Sequence, residues 1–364
     1  MNNTYGMQGD MYQDLKSSLN DVELLNNLDG KTCKYYDIGE FQTKFKNNSN
    51  NFSVFSLNIR SLTGKLNEFH ELISELNHHD FKFSVVSIQE IWDIPIHLNT
   101  DIPGYKPLIF KTRKSSEYNK NNIGGGVGCW VRDIYEHETI DKISYFEDKL
   151  FESLFIKIKT GKKNFKIIGN IYRPPGSNLT DFLDKLQEIL DIISSDQLLS
   201  KAEEVILMGD FNINLLNHDN HAGASNYLNT LLNFGQLPLI TLPSRVTDHS
   251  FSLIDHVSSN TKDKFIESGL VYSSLSDHYP VFCIKNVKTA KSSFQDKYKR
   301  KINENTIPIF KDNLNNVDWS SVNDQLNPSL AFNTFENTLS ECFKKSFPLV
   351  KANLSKKNLQ LNLG

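Results

Sequence analysis

The side chains able to do chemistry recur at one kind of place, the end of an apolar run. Asn58 follows VFSL, Glu90 follows VVSIQ, Tyr172 follows KIIGNI, and Asp210 and Asn212 follow VILMG. Asp255 lies inside SLIDHV, and Asp277 and His278 stand just before PVFCI. Rigid strands can aim residues far apart in sequence at one point, and α/β sheets build their sites at strand ends. Taken singly, each residue has an ordinary structural reading. Asn58 reads as a turn residue, Glu90 as a solvated acid, Tyr172 as a core aromatic with its hydroxyl at the rim, and His278 as a structural histidine. Asp210 and Asn212 are harder to dismiss, because residues two apart in extended chain face the same way and can address one ligand while Phe211 packs behind them.

Jointly, these residue types suit phosphodiester hydrolysis. That reaction needs a divalent cation, Mg²⁺ or Mn²⁺, held by hard oxygen ligands that can include only one or two protein carboxylates. Glu90 is the leading candidate. A base must take a proton from the attacking water, and donors must meet the charge on the phosphoryl oxygens. Asp210, Asn212, His278 and Tyr172 supply these types, and Asp255 could hold the His278 imidazole in one tautomer and favour its charged form.

The elements that must position these residues are short. FSVFSL (52–57), FSVVSI (83–88), GVGCWV (126–131), LFESLFIKI (150–158), FKIIGNIY (165–172), VILMG (205–209), SLIDHV (252–257) and PVFCI (280–284) read as strands. Gly161-Lys162-Lys163 predicts a hairpin. The spacing of Leu62, Leu66, Phe69, Leu72, Ile73 and Leu76 predicts an amphipathic helix. Further helices are predicted over 179–199 and 226–234. Strands do not alternate strictly with helices, so the fold class is α/β (α+β) with a mixed sheet or two packed sheets. Residues 1–51 are polar and Asn-rich and read as a loosely ordered leader. Residues 52–286 form the main domain. Residues 287–364 read as a basic linker and a tail of two or three short helices. From residue 285 onward there are 13 basic and 7 acidic residues, although the whole chain carries a net charge of -3.

That balance excludes a globally basic nucleic-acid coat, but it leaves room for a basic cleft. No run reaches the ~18 apolar residues of a membrane span, and the N-terminus lacks the pattern of a secretory signal. The four cysteines are far apart, which excludes a zinc or CxxC motif and suggests reduced thiols in an intracellular protein. Gly124-Gly125-Gly126-Val127-Gly128 is not followed by GK[ST], so it predicts a hairpin entry and not a P-loop. The basic stretch containing Arg113 and Lys114, together with Arg60 and Arg173, supplies candidate phosphate-backbone contacts.

In their order, LNIR (57–60), SIQE (87–90), NIYRPPG (170–176), GDFN (209–212), SLIDHV (252–257) and SDHYPV (276–281) resemble the endonuclease/exonuclease/phosphatase superfamily. More narrowly, YRPP, PSRVT and SDHYPV resemble the apurinic-type endonuclease domain of non-LTR, LINE-like retrotransposons. The resemblance implies a four-layer sandwich of two packed mixed β-sheets flanked by helices. It also implies that Glu90 is the principal metal ligand with Asn58 and Asp277 near it, and that Asp210 activates the water or assists the leaving group. Asn212 would orient the phosphate or nucleophile, Tyr172 and His278 would contact the scissile phosphate, and Asp255 would pair with His278. Asp210 and His278 stay joint candidates for the base. The implied activity is a DNA endonuclease that nicks one strand to leave a 3′-hydroxyl, with DNA as partner and a nuclear location. A phosphatase or phosphodiesterase acting on a lipid, an inositol phosphate or RNA is the alternative within the fold. A non-catalytic DNA- or protein-binding remnant is the alternative outside it. No YxDD-type polymerase motif occurs, which implies an element truncated before its reverse transcriptase.

Overall fold

The computed structural model describes residues 32–46, 51–77, 81–112, 124–147, 149–247, 250–261, 266–285, 298–300, 302–325 and 327–351. The chain divides into two compact units, Met1–Lys288 and Thr289–Gly364. The first begins with β1 (Thr32–Tyr36), α1 (Ile38–Phe45), β2 (Ser53–Asn58), α2 (Leu66–Leu76), β3 (Val85–Gln89), β4 (Ile109–Lys111) and β5 (Val127–Val131). It continues through β6 (His137–Thr139), β7 (Phe146–Glu147), β8 (Phe151–Lys159), β9 (Phe165–Tyr172), α3 (Leu179–Ser195) and β10 (Glu204–Asp210). It closes with α4 (Ala222–Asn233), β11 (Leu237–Pro238), β12 (Arg245–Val246), β13 (Phe251–Ser252), β14 (Asp255–Ser259), β15 (Ile266–Val271) and β16 (Val281–Lys285).

These strands build two mixed sheets, ordered β1-β15-β16-β2-β3-β5-β4 and β11-β14-β10-β9-β8-β6. The sheets pack face to face with helices outside, as the motif order implies. Alternation along β2 and β3 shows how. Val54 and Val85 join the core shared with the second sheet. Phe55, Leu57, Val86 and Ile88 turn the other way and pack with Phe41, Phe45, Leu66, Phe69 and Ile73 of α1 and α2. On the far side, Phe182, Leu186, Ile189 and Ile193 of α3 and Tyr227, Leu228 and Leu231 of α4 cover the second sheet. β8 and β9 pair antiparallel across the predicted Gly161 hairpin.

Two expectations are corrected. Within the stretch read as a loose leader, β1 pairs parallel with β15 and α1 buries Phe41 and Phe45. The Asn-rich composition hides a helix start. Asp37 and Glu40 form a capping box, and the two phenylalanines at i and i+4 share one face, each burial contributing roughly 1.5–3 kcal/mol. SLIDHV, in turn, is not one strand. Ser244 Oγ accepts the backbone N–H groups of Ile254 and Asp255 at 3.1 and 2.9 Å, and the ladder breaks there. β13 pairs with β12 in a hairpin, while β14 pairs with β10.

At the end of β10 remote from Asp210, Glu204 is 1% exposed and pairs with Lys166, at 2.8 Å, and with the equally buried Lys285. Ser259 donates to it as well. Removing the acid alone would take the Glu204 counter-charge away from the buried ammonium of Lys285. Glu204→Leu is therefore expected to lower stability by about 3–5 kcal/mol, read as a shift of the urea midpoint. A loss below ~1 kcal/mol would mean that Lys285 reaches water without Glu204.

The second unit holds β17 (Tyr298–Arg300), α5 (Thr306–Asn315), α6 (Ser320–Asn323), α7 (Pro328–Ser346) and β18 (Leu349–Lys351), with β17 and β18 antiparallel. α7, at 19 residues, is longer than the short helices expected. Phe310 packs on Phe343 and Phe347, and Trp319 on Phe335. No helix among the described residues is long and apolar enough to cross a membrane.

Candidate active site

The inner faces of the two sheets are polar near one end. Gln89 Nε2 donates to Asn170 Oδ1 at 2.6 Å and to Ser56 Oγ at 3.0 Å. Asn170 Nδ2 donates back to the carbonyls of Ile88 and Gly128, each at 3.0 Å. These buried bonds tie β3 to β9 across the sandwich and fix the depth at which both strands end. Immediately above lie Asn58, Glu90, Tyr172 and Asp210.

Glu90 is the focus of that edge. Its Oε1 accepts from Asn58 Nδ2 at 2.8 Å and from the Tyr172 hydroxyl at 3.1 Å, and its Oε2 accepts from Trp92 Nε1 at 3.4 Å. Asn58 Nδ2 also donates to Asp210 Oδ2 at 2.8 Å, so one amide links the two carboxylates across the two sheets. Burial first, then Glu90 and Asp210, hold the Tyr172 phenol well above its ordinary range, so it is a neutral donor. The backbone bends sharply here. Arg60, Glu90, Trp92 and Asn212 all have left-handed φ, between 49° and 58°, and non-glycine residues held there cluster at functional sites. Gly209 has φ 139°, and a Cβ on it would sit 1.9 Å from the Ile171 carbonyl oxygen, so GDFN requires glycine.

Asp210 and Asp255 are directly opposite in the β10–β14 register. Burial, then the nearby Asp255 charge, push the Asp210 carboxyl up to about 7, against the opposing pull of His278, Asn58 and Asn212. Asn212 donates its backbone N–H to Asp210 Oδ1 at 2.9 Å and its side-chain amide to the Arg173 carbonyl at 2.8 Å. His278 Nδ1 lies 2.7 Å from Asp255 Oδ2, which also accepts from Ser244 Oγ at 2.7 Å. Burial alone would lower the imidazole. The Asp255 carboxylate more than reverses this, with help from Asp210 and Asp277, and brings it to about 9. His278 is thus an imidazolium at neutral pH.

Asp210, Asp255 and His278 bring ligand atoms within 4.8 Å of one another, a grouping able to hold a cation. An imidazolium has no free lone pair for a metal, however, and its bond to Asp255 suits proton and charge chemistry better. Glu90 offers a better match to Mg²⁺. It is half-buried, it has no salt bridge among the described residues, and the Asn58 amide links it to the carboxylate of Asp210.

The arginines divide. Arg60 is half-exposed and its NH1 lies 3.0 Å from Asp277 Oδ1. Arg173, expected at the DNA, is 7% exposed. It donates to the carbonyls of Asn212 and Ser177 at 3.0 and 2.6 Å and lies over the Phe182 ring. Its guanidinium braces the loop that carries Asn212 and does not face solvent, a correction imposed by the chain turning at Pro174-Pro175. Arg113 and Lys114 lie outside the described residues. Sequence reasoning missed Gln89, Asn170, Ser244, Arg245 and the buried Glu152, whose Oε2 accepts the Gly126 N–H at 2.5 Å. All but Glu152 stand inside or beside motifs already quoted, which was the available signal.

The family model described as Endonuclease/Exonuclease/phosphatase family matches residues 55–278. No curated protein sequence gives a significant match. Among solved structures, the chain is similar to an AP endonuclease, LMAP from Leishmania major, at 12% identity and a TM-score of 0.52, covering 73% of this chain and 99% of that one. It is also similar to the endonuclease domain of TRAS1, a telomere-specific non-LTR retrotransposon, at 12% identity and a TM-score of 0.45, covering 65% of this chain and 100% of that one. A third similar structure is D. rerio TDP2 complexed with a single strand DNA product, at 15% identity and a TM-score of 0.46, covering 65% and 99%. At such identities the likeness concerns the fold.

Proposed function

The chain belongs to the endonuclease/exonuclease/phosphatase family, and on that footing we propose that it is a divalent-metal-dependent DNA endonuclease of retrotransposon origin. It would nick one strand and leave a 3′-hydroxyl. One observation carries the reading: Asn58, Glu90, Tyr172 and Asp210, from four strands of two sheets, converge through direct hydrogen bonds beside the Asp255–His278 pair. The DNA assignment and the retroelement origin rest on the YRPP, PSRVT and SDHYPV contexts. Duplex DNA as substrate implies a nuclear place of work.

Glu90, with Asn58 beside it, would hold the cation, which would supply charge stabilisation for the phosphoryl oxygens when bound. Asp210 is the better base of the two candidates. Its carboxyl is poised near neutrality and can accept the proton of the attacking water, whereas His278 already carries its proton. With Nδ1 committed to Asp255, His278 presents Nε2–H to a phosphoryl oxygen, and Tyr172 adds a neutral hydroxyl. Asn212 positions Asp210 through its backbone N–H. Water oxygen bonds to phosphorus, the bond from phosphorus to the 3′ oxygen breaks, and that oxygen takes up a proton.

Supercoiled plasmid incubated with the protein and Mg²⁺ is expected to become nicked circle whose ends a polymerase extends without phosphatase treatment, and EDTA is expected to stop this. Release of phosphate from inositol phosphates or RNA without nicking would replace the reading with the phosphatase alternative. Neither activity from a folded protein would leave the non-catalytic remnant.

A further inference from the structure

Asp277 stands where the motif resemblance implies a metal ligand, yet its carboxylate is already engaged. Arg60 NH1 lies 3.0 Å from Oδ1. Arg245 donates to Oδ2 through Nε at 2.9 Å and NH2 at 2.8 Å. From these contacts we infer that Asp277 is a positioning residue that holds Arg60 and Arg245 together as a clamp for a backbone phosphate of the bound strand, and does not ligate the metal.

The argument starts from charge. Two guanidiniums around one carboxylate leave an excess of one positive charge, and their side chains are 49% and 40% exposed. Ion pairs this exposed contribute only about 0–1 kcal/mol to stability, so folding alone gives little reason to put two arginines on one acid. A guanidinium has five N–H donors. Among the described residues, Arg60 commits one nitrogen to Asp277 and Arg245 commits two. The remaining donors, on side chains this exposed, are able to form the bidentate pair with phosphate that arginine geometry favours.

Backbone placement points the same way. Arg60 occupies a left-handed turn whose N–H is accepted by Asn58 Oδ1 at 3.2 Å, and the next residue, Ser61, donates to the Glu90 carbonyl at 2.8 Å. Arg245 forms an antiparallel bridge with His278, and the Tyr279 N–H donates to the Ser244 carbonyl at 2.7 Å. One arginine is thereby fixed to the Glu90 side and the other to the His278 side, with Asp277 joining them. A second cation on Asp277 would have to displace these guanidiniums. Burial alone would raise the Asp277 carboxyl; the His278 charge first, and then the bonds from Arg60 and Arg245, bring it down to about 2.

This inference rests on the nuclease reading for its ligand, but its test needs no catalysis. Free Mn²⁺ is measured by electron paramagnetic resonance, without DNA, for the full chain and two variants. Glu90→Gln is expected to weaken Mn²⁺ binding tenfold or more, and Asp277→Asn to leave it within twofold. Binding of a fluorescein-labelled duplex is then followed in EDTA across a salt series. Arg60→Ala and Arg245→Ala should each weaken binding about tenfold and make the log–log salt slope shallower by about one. Arg245→Lys should keep the slope and lose part of the affinity, because the charge remains and the fork does not. Loss of Mn²⁺ in Asp277→Asn equal to that in Glu90→Gln would make Asp277 a ligand and overturn the inference. Unchanged affinity and slope in both alanine variants would overturn it too. Failure of the wild-type protein to nick plasmid would count against the nuclease reading separately.

Discussion

Glu90→Gln is expected to reduce plasmid nicking by about 10²–10³-fold while the protein stays folded. The substitution keeps the shape of the side chain and one acceptor oxygen for Asn58 and Tyr172. It removes the one charge that, on the present reading, attracts a hard divalent cation to this edge of the sheets. Loss of a metal that stabilises developing phosphoryl charge is worth several kcal/mol of barrier, which gives that magnitude. Glu90 is half-buried at the end of β3 and is not part of either apolar core, so thermal unfolding should shift by only a few degrees. Raising Mg²⁺ should recover part of the rate, because the amide oxygen left at position 90 is still a weak ligand. A folded Glu90→Gln protein that nicks at the wild-type rate would place the metal elsewhere, with the Asp210, Asp255 and His278 grouping as the next position to examine.

How much of this was legible in the sequence depended on whether a residue's role is set by its own strand or by a neighbour's. Asn58, Glu90, Tyr172 and Asp210 announce themselves because each polar side chain ends an apolar run, and parallel pairing of β2 with β3 and of β9 with β10 brings those ends together. The Asp255–His278 contact needed the motif resemblance, since 23 positions separate the two residues and nothing local joins them. Arg245 was illegible for a related reason. Its role depends on the β12–β13 hairpin docking against the Asp277-His278 segment, which no periodicity encodes. Arg173 misled because a solvent-facing arginine and one folded back onto carbonyls look identical in sequence. Gln89 and Asn170 pair across two sheets, and each alone reads only as a polar residue in a strand. The first structured segment was lost to composition, because four asparagines between residues 47 and 51 (broken only by Ser49) outweigh two well-spaced phenylalanines when the stretch is averaged.

His278→Ala and Asp255→Ala should each slow single-turnover nicking by about 10²–10⁴-fold, and the double variant should lose little beyond the worse single. Both groups are almost fully buried, at 4% and 2% exposure, and Asp255 Oδ1 has no hydrogen-bond partner among the described residues. A carboxylate so placed is tolerable only beside a positive charge, and His278 supplies it at 2.7 Å. Each residue therefore works through the other. Without Asp255 the imidazole loses the neighbour that keeps it charged, and without His278 the carboxylate has nothing to orient. The sign of the pH dependence follows from the direction of the shift. The folded-state imidazole titrates near 9 and the unfolded one near 6.5, so the stabilisation from the pair is fully present below about 6.5 and is lost as pH rises through about 9. Relative to His278→Gln, the wild-type protein should lose melting temperature between neutral pH and pH 10, by an amount that Asp255→Asn also removes. This stability readout is independent of catalysis and separates a paired imidazolium from a histidine that merely lines the cleft. Additive losses in the double variant, or a melting temperature whose pH dependence is the same in the wild-type, His278→Gln and Asp255→Asn proteins, would require two independent roles and end the case for a hydrogen-bonded pair.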